Sequence, residues 1–452
     1  MSKPSTASPI SNFITRHSSL ITRNSQILRL ALPAIVTNIT VPLLGLVDVA
    51  IVGHIGDATY IGAIAVGSMI FNVIYWVFGF LRMGTSGLTA QALGANRHDE
   101  VLRLLIRSLT TALAVAMLIL IFQSPLKRLA FTVIGAESSV SELTDGYFDV
   151  VVWGAPAMLS LYGLTGWFIG MQDTRTPMVV SIAQNIVNIA VSLILVVGCG
   201  MRIEGVATGT LVAQYAGLAM AVAGWWWRYR QLTPHFNTKG LFAWQQLVRF
   251  FRVNSDIFLR TLFLVAVNLY FLSAGARQGA LILAVNTLLM QLFILFSYIM
   301  DGFAFAGEAL CGLHRGAADT QALRTTIAHL FAWGAITVAF FTTAYAFGGA
   351  SFLSLLTSDD NVLVAAAEYL PWAIAIPIAG VAAFVWDGVY IGLTATRSML
   401  ISSVLAAVVF FTLYLSLRQQ MGNHALWLAF LAFLFVRGVM QTILFKRAMK
   451  GS

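Results

Sequence analysis

The chain has 452 residues, of which 59% are hydrophobic and only 10% charged, and its mean hydropathy is +0.83. A soluble core of this length cannot hide that much apolar surface, so lipid must cover the remainder and a water-soluble fold is excluded. The formal net charge of +9 comes from bases spread over polar connections rather than gathered with aromatics on one face, and no nucleic-acid partner is expected.

Residues 1–26 read as a polar tail carrying Lys3, Arg16 and Arg23. The apolar run that follows is too long for the core of a signal peptide, so no cleavage is expected. Apolar runs of about 20 residues predict six transmembrane helices near 27–53, 58–90, 101–123, 147–171, 176–199 and 204–227.

The first of these holds Pro33, Pro42 and Asp48. A charge at mid-bilayer costs about 2.5 to 3.5 kcal/mol on insertion scales, so an acid kept there needs a reason. Asp48 lies roughly 9 Å inside the outer end of its helix, with no base one turn away. It must face protein or a water-filled cavity, where a carboxyl group can exchange a proton. Each proline removes a backbone donor and permits a kink, so the protonation of Asp48 is expected to couple to the bend of helix 1. The other reading is a neutral acid hydrogen-bonded to a neighbouring helix.

On the fifth helix Ser181, Asn185, Asn188 and Ser192 recur at spacings of four, three and four, which lays them along one face. Asn188 and Ser192 reach the depth of Asp48, and Asp48, Asn185 and Asn188 are the ion-coupling candidates. Gln184 flanks the stripe, and Thr210 with Gln214 makes a four-residue pair on helix 6. Gln184, Ser192, Thr210 and Gln214 line a substrate cavity or serve as polar glue between helices.

Residues 229–246 form a polar linker with Pro234 and Gly240 as breakers. Six further runs follow near 247–274, 279–312, 322–347, 364–392, 397–417 and 424–445, and residues 447–452 form a second tail. The expected domains are therefore a first lobe at 27–228 and a second at 247–446. Asp256 and Arg260 are four apart with the acid first, the favourable order for a pair within one helix. Asp301, Glu308 and Asp387 fall toward the inner ends of their helices, and Arg437 at a compatible depth is expected to pair with Asp387 or Asp301.

The halves are copies. Gly166-Trp-Phe-Ile-Gly-Met-Gln-Asp-Thr-Arg-Thr-Pro-Met178 returns as Gly388-Val-Tyr-Ile-Gly-Leu-Thr-Ala-Thr-Arg-Ser-Met-Leu400, a shift of about 222 positions. Six spans per half return the chain to its starting side, so the lobes lie parallel about an axis along the membrane normal. The fold class is an all-α polytopic membrane protein of twelve transmembrane helices in two six-helix parallel pseudo-repeat lobes. Bases gather in alternate connections, among them Arg97, Arg175, Arg315 and Arg397, which puts both termini in the cytoplasm.

No phosphate-binding Gly-rich loop, His-Glu-x-x-His helix or Gly-x-Ser-x-Gly turn occurs, so no enzyme activity, cofactor or metal is expected, and any transport must run on an ion gradient. Cys199 and Cys311 are given no role.

Leu46-Val-Asp48-Val-Ala-Ile-Val-Gly53 on a proline-bearing first helix, the loop Gln91-Ala-Leu-Gly-Ala-Asn-Arg97 and the turn Gly170-Met-Gln-Asp-Thr-Arg-Thr-Pro177 together resemble the multidrug and toxic compound extrusion (MATE) transporters. Asp301-Gly-Phe-Ala-Phe-Ala-Gly-Glu308 and Trp386-Asp387-Gly-Val-Tyr-Ile-Gly392 resemble its DNA-damage-inducible protein F-like branch. The resemblance implies a V of two lobes in a bacterial cytoplasmic membrane. It further implies alternating access and export, by a monomer, of organic and often cationic small molecules in exchange for H+ or Na+. In proton-coupled members a helix-1 aspartate is the coupling residue, and it matches Asp48. Members often carry an aspartate where this chain has Ser192, and the helix-10 acid of the sodium-coupled branch falls on Gly380. Both departures favour H+ over Na+ as the coupling ion.

Overall fold

The computed structural model describes residues 23–53, 58–134, 138–235 and 240–450; the side chains of 41–50 and of a few residues at the ends of these stretches lie outside the description. Asp48 and Pro42 thus have a described backbone but no described side chain, and most of the two expected tails falls outside. Among the described residues there is no strand. The first helix, α1, is Arg23–Gly53. Eleven further segments are long and apolar enough to cross a membrane: α2 Thr59–Gly94, α3 His98–Ile121, α4 Val140–Gly170, α5 Arg175–Gly198, α6 Ile203–Pro234, α7 Trp244–Ala276, α8 Ala280–Gly316, α9 Thr320–Leu356, α10 Asp360–Gly392, α11 Thr396–Met421 and α12 Asn423–Met449. Eleven of the twelve apolar runs fall on these segments, and the first, 27–53, falls on the helix α1. Their outer faces are apolar, as lipid contact requires: Phe347 is 88% exposed and Val197 75%.

Caps fix several starts. Asp319 accepts the Ala322 amide ahead of α9, Asp359 accepts those of Asn361 and Val362 ahead of α10, and Asp173 accepts those of Arg175 and Thr176 ahead of α5. Two spans are interrupted. In α2 a turn at Phe78 and Gly79 separates Ala58–Val77 from Phe80–Gly94, and in α4 the 3-10 turn Val152–Gly154 precedes Ala155–Gly170. The connection between α3 and α4, which falls between the apolar runs, carries a short helix, Gln123–Ile134, and the first helical part of α4 runs Ser138–Val151. Lys127 on that short helix pairs with Asp145 and Asp149, which holds it against α4.

The duplication is written into the backbone. α2, α4, α8 and α10 each end in a left-handed residue: Asn96 (φ 56), Gln172 (φ 63), Ala318 (φ 54) and Thr394 (φ 52). In each the following amide bonds back to the carbonyl five residues earlier, closing a Schellman turn, as Arg97 does to Ala92 and Asp319 to His314. These turns, with Arg97, Arg175, Arg315 and Arg397 beside them, share one end of the bundle, the basic end.

Here the lobes touch reciprocally. A Cβ on Gly94 would stand 2.0 Å from the Leu313 carbonyl oxygen, and one on Gly316 would stand 2.0 Å from that of Gln91, so only glycine fits either place. Such an exchange of equivalent partners is the signature of a twofold axis. Several inter-lobe hydrogen bonds lie between this end and mid-bundle. Gln91 donates to the Gly392 carbonyl and to Thr394, Gln172 to the Ala309 carbonyl, and Asn38 of α1 to the Tyr298 carbonyl of α8.

Candidate functional site

Within the first lobe the polar face of α5 is turned toward α1 and α6. Asn185 Nδ2 donates to the Thr40 carbonyl of α1 at 2.7 Å, and Asn188 Nδ2 donates to Thr210 Oγ1 of α6 at 3.1 Å. Asn188 and Ser192 are fully buried, yet Asn188 Oδ1 and Ser192 Oγ have no hydrogen-bond partner among the described residues. A buried polar atom left unpaired is costly, so such atoms mark places where a further group is received. A π-helical turn, Ile194–Gly198, begins two residues after Ser192, a distortion found often beside functional sites.

The remaining first-lobe candidates are close by. Gln184 faces Met158 and Gly217, and Gln214 is buried against Gly154. Helix α1 stays α-helical through both prolines. Thr37 and Thr40 return their hydroxyls to the Pro33 and Val36 carbonyls, a back-bond that helps helices bend. The carbonyl gripped by Asn185 is about 12 Å along the helix from Asp48. The side chains of Asp48 and Pro42 lie outside the described residues.

Between the lobes, six ionisable groups form a second constellation. Glu308 of α8, fully buried, receives Arg82 Nη1 of α2 at 3.1 Å and the Ser86 hydroxyl. Arg82 also lies over the Phe305 ring at 4.0 Å. Within the second lobe Asp387 of α10 is bonded by Arg260 of α7 and by Gln441 Nε2 at 2.7 Å, with Arg437 Nη2 of α12 at 3.6 Å. Asp301 stands in the field of Arg82, Arg260, Glu308 and Asp387. It forms no ion pair among the described residues. Three arginines thus face three acids, and the cluster is neutral when all are ionised.

The expected Arg437–Asp387 pair is present, but its closer competitor is Arg260. The intrahelical pair of Asp256 with Arg260 does not form. Arg260 reaches across to Asp387 instead, and Asp256 takes the Thr396 hydroxyl at 2.9 Å. Burial does not separate the two acids, both 7% exposed; Asp387 gathers Arg260, Arg437 and Gln441 into one network, while Asp256 is held by Thr396 of α11. Sequence reasoning missed Arg82. Its signal was available, because it is the one charged residue in the apolar run 58–90.

The MatE family model matches this chain twice, over residues 33–194 and 257–414, at nearly the offset of the repeated motif. DNA damage-inducible protein F of Escherichia coli (strain K12) is 36% identical over 92% of this chain and 91% of its own length. A probable multidrug resistance protein NorM of Photorhabdus laumondii is 23% identical over 94% of this chain and 96% of its own. A crystal structure of a MATE protein in the bent conformation superposes with a TM-score of 0.84 over 95% of this chain and 96% of that one, at 16% identity, which speaks for the fold alone. With the model matched in both halves and one relative similar along nearly its whole length, the chain belongs to the MatE family of transporters.

Proposed function

We propose that this protein is a secondary antiporter of a bacterial cytoplasmic membrane, exporting amphipathic, often cationic organic compounds in exchange for H+ by alternating access. It works as a monomer with its basic end and both termini in the cytoplasm. Lobes joined at the basic end leave the opposite end as the exit. The observation that carries the reading is the α5 stripe: it is bonded to α1 through Asn185, and it holds two buried acceptors, Asn188 Oδ1 and Ser192 Oγ, without described partners. A protonated Asp48 is the donor such acceptors call for, and losing the proton alters what holds α1 to α5. Relatives bearing multidrug-resistance names support the substrate class.

Coupling to Na+ is the weaker reading, since a serine stands at 192 where a second carboxylate would serve a cation. The three arginines of the buried cluster, Arg82, Arg260 and Arg437, are matched one for one by acids, which does not favour a flippase that would hold anionic lipid-linked precursors there. Purified protein in liposomes tests the proposal with a panel of labelled compounds. An imposed pH gradient should drive accumulation and an equal Na+ gradient should not; the reverse result rejects H+ coupling.

A further inference from the structure

A cavity of about 60 Å³ opens at the basic end where the lobes meet, lined by Gln91, Arg97, Glu100 and Arg107 of the first lobe and by Gln246 and Arg249 at the start of α7. One water needs roughly 10 to 15 Å³ by this measure, so the space admits a larger polar group.

Its charge is unbalanced. Arg107 is engaged on all sides, donating to Glu100 at 2.6 Å, to the Leu241 and Gly240 carbonyls and to Gln246. Glu100, the one acid on the wall, is shared between Arg107 and Arg103. Arg249 donates only to the neutral Oε1 of Gln91, at 2.8 Å, and neither Arg249 nor Arg97 forms an ion pair among the described residues. Two guanidinium groups, one from each lobe, therefore face one cavity with no carboxylate of their own.

The cavity also sits at a telling depth. Phe242 and Trp244, just ahead of Gln246, are 57% and 79% exposed. Exposed aromatics of this kind mark the level of lipid headgroups.

We propose that this cavity binds a phosphoryl anion through Arg97 and Arg249. The guanidinium fork matches two phosphate oxygens, and a basic pocket between helices at headgroup level is the setting in which acidic phospholipids are recognised. Because the two arginines belong to different lobes, the bound anion favours the arrangement in which the lobes meet at the basic end. The inference stands apart from the identity of the coupling ion.

The test is the thermal unfolding midpoint of the full chain in neutral detergent, titrated in separate arms with phosphatidylglycerol, phosphatidylcholine and inorganic phosphate. A saturable rise with phosphatidylglycerol and none with phosphatidylcholine is expected. In the double variant R97Q/R249Q the half-saturating concentration should rise at least about tenfold, whereas R252Q, an exposed arginine of α7 off the cavity wall, should bind as the parent does. A rise with inorganic phosphate alone, abolished in R97Q/R249Q, supports the same site with a soluble ligand. If the double variant fails to fold, the R97Q and R249Q single variants carry the test, each expected to weaken binding by about threefold or more. No response to either anion, or an equal response in parent and variants, overturns the proposal.

Discussion

Ser86 and Glu308 stand 222 residues apart, at equivalent places in the two halves of the chain, and the Ser86 hydroxyl donates to the Glu308 carboxylate where α2 meets α8. The duplication placed a small hydroxyl on one side of the pseudo-twofold axis and an acid on the other. Arg82 completes the bond, so this ion pair joins the lobes rather than stabilising one of them.

Glu308→Gln removes the charge that Arg82 answers. A buried pair broken on one side costs about 3 to 5 kcal/mol, and here that cost falls on the arrangement closed at the basic end. With cysteines at Ala95 and Ala317, beside the reciprocal Gly94 and Gly316 contacts, disulfide crosslinking should drop at least about tenfold relative to an unaltered Glu308. The exposed Cys199 is replaced by serine for this experiment.

Asp387→Asn strips two arginines of their partner and should destabilise the second lobe by about 3 to 5 kcal/mol, whereas Arg437→Gln should cost less because Arg260 keeps its bond. Thermal unfolding of the detergent-solubilised variants ranks them. Equal losses would show that Arg437 rather than Arg260 is the principal partner.

Ala318 holds a left-handed conformation at an exposed turn with no side-chain bond to repay it. Ala318→Gly should raise stability by up to about 1 kcal/mol. Thr394→Gly should not, because Thr394 Oγ1 accepts from Gln91 across the lobes. The unfolding midpoint should move up for the first and stay or fall for the second.

Asp173 caps α5, accepts Thr176 Oγ1 at 2.6 Å and Tyr229 at 3.0 Å, and lies 3.3 Å from Arg228. Asp173→Ala should cost about 2 kcal/mol or more. Ala395 occupies the equivalent turn of the second lobe. Ala395→Asp should bring no comparable gain unless partners like Tyr229 stand there too, and paired unfolding curves for the two variants check this.

Much of the architecture was legible because a bilayer demands long apolar runs, and the segment Gly166–Met178 returning as Gly388–Leu400 announced two lobes. The α5 stripe was legible too, since polar residues at helical spacing on an apolar helix must face protein, and Asn185 and Asn188 do. What escaped depends on contacts between helices far apart in sequence. No periodicity relates Arg82 to Glu308, and the four-residue rule that paired Arg260 with Asp256 looks along one helix, whereas Asp387 and Thr396 reach these two residues from other helices. The helix at Gln123–Ile134 is only 12 residues long and so falls outside a search for apolar runs of about 20.

In the proposed antiport, proton coupling runs through Asp48 in the first lobe. Reconstituted parent and Asp48→Asn proteins should be compared for substrate accumulation under an imposed pH gradient, with Asp387→Asn in parallel and folding monitored by unfolding midpoint. Asp48→Asn is expected to fold and insert as the parent does but to build no substrate gradient, while Asp387→Asn loses stability foremost. Full proton-driven accumulation by Asp48→Asn, with accumulation abolished in a stably folded Asp387→Asn, would contradict the account and move coupling to the second lobe.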